Sequence, residues 1–214
     1  MIDNATLRLI TVVLLAFSFL LIYRLNAHDD QAEGRFEVKK EILLSPAVEL
    51  AGNVVTIAIP MIAVILLLLS PTAVYGTGLN IHFYGDALVQ VAGILLYTSG
   101  ATLLTWSSRV LGKYDTGRIA VAEDHVLVDA GPYARVRHPG YTATFMLVLS
   151  VFMMTLHVLF LLDVLAAVAY FLYRSRLEEE LMLSDESLGD DYQEYMERTG
   201  RFFPQIRNGA WLEE

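Results

Sequence analysis

The sequence predicts an all-α, polytopic membrane protein with about five transmembrane helices. Two observations carry this prediction. Apolar residues make up 55% of the 214 positions and charged residues only 18%, against roughly 25% charged in a soluble domain. The surplus, a mean hydropathy of +0.49, is sorted into blocks at 7–25, 47–69, 83–106 and 141–173. About 20 apolar helical residues cross the roughly 30 Å hydrocarbon core of a bilayer. Such a chain is neither an ordinary cytosolic enzyme nor a disordered one. It has no cysteine, which excludes disulfides, thiolate metal sites and a cysteine nucleophile.

The first block has Asp3 ahead of Arg8, and it ends in Tyr23-Arg24-Leu25 with no small-x-small cleavage pattern. It therefore reads as a retained helix and not as a signal peptide. Pro60 in the second block is tolerated where neighbouring helices surround it. Gly85, Gly93 and Gly100 in the third read as packing positions, because small residues let helix backbones approach closely. The fourth block has 33 residues and one formal charge, Asp163. As a single helix it would be about 50 Å long at 1.5 Å per residue, too long for one crossing. Two helices joined by a tight turn near 155–158 fit better.

Basic residues in the connections set orientation, while acidic ones contribute little. Arg35, Lys39 and Lys40 lie between blocks one and two with Arg24 at the edge of that segment, and positions 70–82 hold no Lys or Arg. Arg109, Lys113, Arg118, Arg135 and Arg137 precede block four; Arg174, Arg176, Arg198, Arg201 and Arg207 follow it. If block four is two spans, fourteen of the fifteen basic residues share one side and only Arg8 does not. Five spans follow, with the N-terminus outside and the C-terminus cytoplasmic. The formal net charge of −9 hides this sorting. The chain divides at 1–106, carrying spans one to three, and 107–214, a polar loop, a helical hairpin and a tail. In that tail 184–199 reads as a short helix with Leu188, Tyr192, Tyr195 and Met196 on one face, closed by Gly200 and Pro204.

No Walker loop, G-x-G-x-x-G, H-E-x-x-H or G-x-S-x-G pattern occurs. The five histidines stand singly, so no metal is expected; no nucleic acid is expected as a partner either. Three stretches rise above this background. Gly131-Pro132-Tyr133-Ala134-Arg135-Val136-Arg137-His138-Pro139-Gly140-Tyr141 leads into an apolar helix. Pro139 suits the first helical position, leaving free N–H groups and a positive dipole end for a carboxylate or phosphate. Tyr133 and Tyr141 could stack on a base or sugar; the blander reading is a helix-start turn whose arginines meet lipid headgroups. Next, Arg174-Ser175-Arg176-Leu177-Glu178-Glu179-Glu180 sets Arg176 and Glu180 four apart. They are either a surface pair worth a few tenths of a kcal/mol or a site for ligands of both charges. Last, Ala122-Glu123-Asp124-His125-Val126-Leu127-Val128-Asp129 is a short apolar stretch in a polar loop, in which Val126, Leu127 and Val128 are able to line a ring-shaped ligand or to anchor the loop to the bilayer.

In this order and spacing, H-x-L-V, G-P-Y-A-x-x-R-H-P-G-Y, a hairpin, R-x-E-E-E and Y-x-x-Y-x-x-x-T-G-R-F-F-P resemble the isoprenylcysteine carboxyl methyltransferase family. These are integral-membrane enzymes that use S-adenosyl-L-methionine; the resemblance covers roughly 113–206. Phospholipid N-methyltransferases share the C-terminal pattern. The resemblance implies cofactor contacts at His125, Val126, Leu127, Val128, Tyr133, His138, Pro139, Gly140, Tyr141 and Glu180. It also implies a substrate-carboxylate arginine at Arg176, so that Arg176 and Glu180 carry the catalytic roles. Arg118 stands where the family commonly has a glutamine.

The expectation is a membrane methyltransferase acting on a lipophilic acceptor that arrives from the bilayer. Its simplest acceptor is the carboxylate of an isoprenylated cysteine; the alternative is a phospholipid amine such as phosphatidylethanolamine. A carboxylate is already ionised at neutral pH, whereas an amine must lose a proton, for which Glu180 or a tyrosine is the candidate. Methyl transfer from a sulfonium needs positioning more than acid–base chemistry, which fits the lack of a triad. An NADPH-dependent membrane reductase and a non-enzymatic scaffold or small transporter are the competing classes.

Overall fold

The computed structural model describes residues 37–205 together with Thr6, Leu9, Ile10, Val12, Val13, Leu14 and Phe17. Most of the first expected span, and with it Arg8, Arg24, Arg35 and Arg207, lies outside the described residues.

Helix α1 (Pro46–Asn53) opens on Ser45, whose hydroxyl accepts from the Val48 amide, and has Pro46 in its first turn. A π-helical stretch, Val54–Ala58, joins it to α2 (Ile59–Leu69), with the Ile59 amide bonded five residues back to the Val54 carbonyl. Pro60 explains the wider turn: it lacks an N–H, and its ring would press on the carbonyl four residues earlier in a regular helix. A short helix α3 (Pro71–Tyr75) follows. Helix α4 (Asp86–Leu111) starts after Gly85 at φ 96° and ends at Gly112 at φ 57°. Helices α5 (Pro139–Thr155) and α6 (Val158–Leu183) form the expected hairpin. The break falls where helix length demanded it. Leu156 adopts φ 51°, and the His157 Nδ1 caps α6 by accepting from the Leu159 amide at 3.2 Å.

Pro46–Leu69, Asp86–Tyr114 and Val158–Leu183 are long and apolar enough to cross a membrane, whereas α5 is a shorter apolar helix of 17 residues, about 25 Å. Their outer faces are apolar. Leu50, Met61, Leu69, Leu88, Leu95 and Leu165 are each more than half exposed, the pattern of a surface covered by something other than water. The inside is small and polar by comparison, with Ser107, Ser150, Thr155 and Gln90 fully buried. Gly93 and Gly100 act as the sequence suggested. A Cβ on Gly93 would stand 2.9 Å from the Met153 Cβ and 3.1 Å from the Ser150 carbonyl oxygen of α5. One on Gly100 would stand 3.0 Å from the Met146 Cβ.

At one end the α5–α6 turn meets the segment before α4. Ile81 donates to the Leu156 carbonyl and Val158 to that of Leu79. Gln90 and Tyr75 both donate to the Met154 carbonyl, and Asn80 to that of Thr155. These bonds satisfy carbonyls that the end of α5 leaves without helical partners.

At the other end the structure departs from the all-α expectation. Strand β1 (Val38–Glu41) pairs antiparallel with β2 (Ala120–Ala122), joining the connection before α1 to the loop after α4. Lys39 bridges Asp185 at 2.9 Å and Lys40 donates to the Ser184 hydroxyl at 2.6 Å, so the same strand also reaches the chain beyond α6. The segments that the basic residues placed on one side therefore touch. The tail helix is shorter than expected: α7 is Gly189–Arg198, and 184–188 form its approach. Gly200 is not a left-handed stop. It bridges in parallel to Val136, and a Cβ there would collide with the Phe203 carbonyl at 1.7 Å.

Candidate functional site

A cavity of about 410 Å³ lies at the ribbon end of the bundle, within the usual size range for small-molecule sites. Its walls come from the ends of α4, α5 and α6, the 114–128 loop and α7. The α5 wall is set by backbone. Pro139 occupies the first turn with His138 before it, and the 137–138 amides donate to the Gly200 and Arg201 carbonyls at 2.8 and 3.0 Å. The G-P-Y-A segment forms a 3₁₀ turn, Gly131–Ala134, that buries Tyr133. The Tyr195 hydroxyl fastens α7 to this turn by donating to the Tyr133 carbonyl at 2.6 Å. Burial raises the Tyr133 and Tyr195 hydroxyl pKa values, the latter to about 12, so both are neutral donors at physiological pH.

Behind the wall sits a charge cluster. The Glu179 side chain is 4% exposed and accepts from Arg137 Nε at 2.9 Å and Arg201 Nε at 3.0 Å. It also lies 3.2 Å from His138 Nε2. Glu178 flanks the other ring nitrogen of His138 at 3.4 Å. Burial alone would push the His138 pKa down, but the hydrogen bonds with Glu178 and Glu179 outweigh it and hold the imidazole above its ordinary value. The cluster ties the R-H-P-G-Y turn, α6 and the tail into one unit.

Arg174 shapes one corner of the cavity. Its guanidinium donates to the Tyr141 hydroxyl at 2.6 Å, the Tyr170 hydroxyl at 3.1 Å, Glu178 at 3.3 Å and the Gly117 carbonyl. The Tyr141 ring stacks on His138 at 5.4 Å and on Phe171 at 5.3 Å. Across the cavity Tyr114 stacks on His125 at 4.4 Å, and burial lowers the His125 pKa, leaving a neutral aromatic pair. Arg118, on the lining, is held by the Glu41 carboxylate of β1 through both Nε and an NH2 group.

His125, Leu127, Val128, Tyr133, His138, Gly140 and Tyr141 all line the cavity. Val126 alternates outward and is 65% exposed, and Pro139 is buried outside the lining. Arg176 and Glu180 are exposed, make no ion pair with each other and are absent from the lining. The run R-S-R-L-E-E-E contains two i, i+4 pairs, and two residues rotate a helix by about 200°. The inward pair is Arg174 and Glu178, which meet at 3.3 Å; spacing alone favours neither phase. Sequence reading also missed Asn53, Leu104, Ser107, Thr144 and Tyr192, whose side chains line the cavity from several elements and share no local pattern.

This architecture defines a helical membrane protein with a small-molecule cavity opening at one end of its spans. Residues 93–184, from mid-α4 to the end of α6, match the model of the isoprenylcysteine carboxyl methyltransferase (ICMT) family, the family that the motifs resemble. The matched segment carries that family's domain, which together with the apolar helices supports a membrane methyltransferase. No curated protein matches the chain.

Proposed function

We propose that the protein is an S-adenosyl-L-methionine-dependent methyltransferase whose acceptor is lipophilic, with the carboxylate of an isoprenylated cysteine as the leading candidate. The observation that carries this reading is the cavity. The family-matched segment builds most of it, and its lining runs from charged groups at the ribbon end to Leu104 and Thr144 within the spans. A soluble cofactor and a lipid-borne acceptor need such a two-sided space.

The residues present suit the cofactor. Glu178 and the exposed Asp115 offer negative charge, Arg118 and the α5 N-terminus offer positive charge, and the Tyr114–His125 pair and Leu127 offer a flat apolar wall. Gly140 lines the wall with open space at its Cα, where a Cβ would have only the Ser107 hydroxyl near it at 3.9 Å. When bound, the cofactor supplies an electrophilic methyl group on a sulfonium. Within the proposed site His125, Leu127, Val128, Tyr133, His138, Gly140 and Tyr141 hold it. Arg174 and Glu178 take the orienting roles that the family resemblance implied for Arg176 and Glu180.

Arg174 keeps a cation at the corner facing the spans, where it attracts an acceptor anion without having to move a proton. A carboxylate acceptor needs no general base, which agrees with a site where the carboxylate at the Arg174 corner, Glu178, is already engaged by Tyr141 and Arg174. Region 1–106 anchors the protein and adds Asn53 and Leu104 to the cavity wall, while 107–214 carries most of the transfer machinery. The clustering of basic residues at the cavity end favours a cytoplasmic site with the N-terminus outside. The test is transfer of a labelled methyl group to a farnesyl-cysteine analogue and, separately, to phosphatidylethanolamine, alongside calorimetry with S-adenosylhomocysteine. Base-labile label on the prenyl analogue is the expected result. Base-stable label on the phospholipid moves the acceptor to the amine class, and no binding of S-adenosylhomocysteine overturns the proposal.

A further inference from the structure

We infer that Asn53 recognises the acceptor from the bilayer side of the cavity and sets which acceptors are used; this rests on the proposed methyltransferase reading. Asn53 lies outside the family-matched segment yet lines the same cavity as Arg174, Tyr141 and Thr144. It is an amide in the apolar span Pro46–Leu69, seven steps and about 10 Å along the helix from Pro46. Polar side chains at such depth are costly unless they face a partner or a polar space. Asn53 has no side-chain partner among the described residues.

Local structure aims it. Asn53 immediately precedes the π-helical stretch, so the helix phase changes at this residue. Its neighbour Gly52 is pressed by the Tyr170 ring, which would stand 2.2 Å from a Cβ there. The Tyr170 hydroxyl in turn accepts from Arg174. The α1 backbone is thus drawn toward the Tyr170–Arg174 pair, and Asn53, an exposed side chain on the same lining as Arg174, adds a neutral donor and acceptor to that wall. A carboxylate on a lipophilic tail suits this pairing. Arg174 supplies the charge, the Asn53 amide N–H supplies a directional bond, and the tail leaves along the apolar span.

The test uses the full-length protein in detergent–lipid micelles, with a farnesyl-cysteine analogue as acceptor and S-adenosylhomocysteine as the cofactor-site probe. Asn53→Leu keeps the branched skeleton and removes the amide; it is expected to raise the acceptor KM about tenfold, the scale of one lost hydrogen bond. The S-adenosylhomocysteine Kd stays within about twofold, which also shows that the variant is folded. Asn53→Asp is expected to raise KM further by repelling the carboxylate, and Asn53→Gln to recover part of the loss. An unchanged KM in Asn53→Leu, or a rise matched by an equal loss of S-adenosylhomocysteine binding, overturns the inference while leaving the methyltransferase reading in place. A wild-type protein that binds no S-adenosylhomocysteine overturns the reading itself, and the inference with it.

Discussion

Replacing Glu179 by glutamine takes away the carboxylate shared by Arg137, Arg201 and His138. The Arg137 side chain is 8% exposed and that of Arg201 31% exposed, so one buried and one part-buried guanidinium would lose their counter-charge. Breaking a buried ion pair from one side costs about 3–5 kcal/mol, and the partial exposure of Arg201 favours the lower end. For a chain of this size about 3 kcal/mol lowers the melting temperature by about 6–12 °C. Asp129→Asn is the control. It breaks the Asp129–Arg198 pair at 2.7 Å, but both side chains are 46% exposed, and such a pair is worth less than about 1 kcal/mol. Thermal unfolding in detergent, followed by tryptophan fluorescence, reads both. If Glu179→Gln melts within about 2 °C of Asp129→Asn, the cluster is not what holds the tail to the R-H-P-G-Y turn.

Because the His138 pKa is raised in the folded protein, its contribution to stability is complete below its unfolded value near 6.5 and is lost as pH rises through the higher folded value. The melting difference between wild type and His138→Asn should therefore shrink between pH 6 and pH 9; a difference that grows with pH contradicts the assignment. Gly93→Val drives a branched side chain into the Met153 and Ser150 backbone region and should cost at least about 1–3 kcal/mol in the same melt, with no such loss for Val91→Ile on the exposed face of α4. Arg174→Lys replaces a fork with four partners by a point charge. It is expected to cut methyl transfer about tenfold or more while Arg176→Lys changes it less than about threefold; the reverse order would return the orienting role to Arg176.

Much of this arrangement could be read from the sequence because it follows from length and covalent structure. Thirty-three apolar residues are too many for one crossing, so a break had to fall between α5 and α6, and Leu156 and His157 supply it. Pro139 could only begin a helix, and glycines at 93 and 100 could only mean close packing or weakness. The rest depended on long-range partners. Nothing in Val38-Lys39-Lys40-Glu41 alternates in the way a strand does, and β1 exists because β2 offers it an edge. The phase of Arg174 and Glu178 against Arg176 and Glu180 was undecidable from two equal spacings. Asn53 looked like one polar residue in an apolar block, since its significance lies in what Tyr170 does to its neighbour.

The ribbon has a consequence for biogenesis. Lys39 and Asp185 are separated by 146 positions, and a ribosome delivers the first long before the second. The cavity wall therefore closes only after the last helix has inserted and the tail has emerged. A chain stopped just past α6 would keep all four described apolar helices but lack Leu188, Tyr192 and Tyr195 from the lining. It would also lack the Lys39–Asp185 fastening. Such a product would keep its apolar helices and lose one wall of the cavity, so a stop between residues 184 and 188 is expected to give a membrane-inserted chain without the proposed methyl transfer.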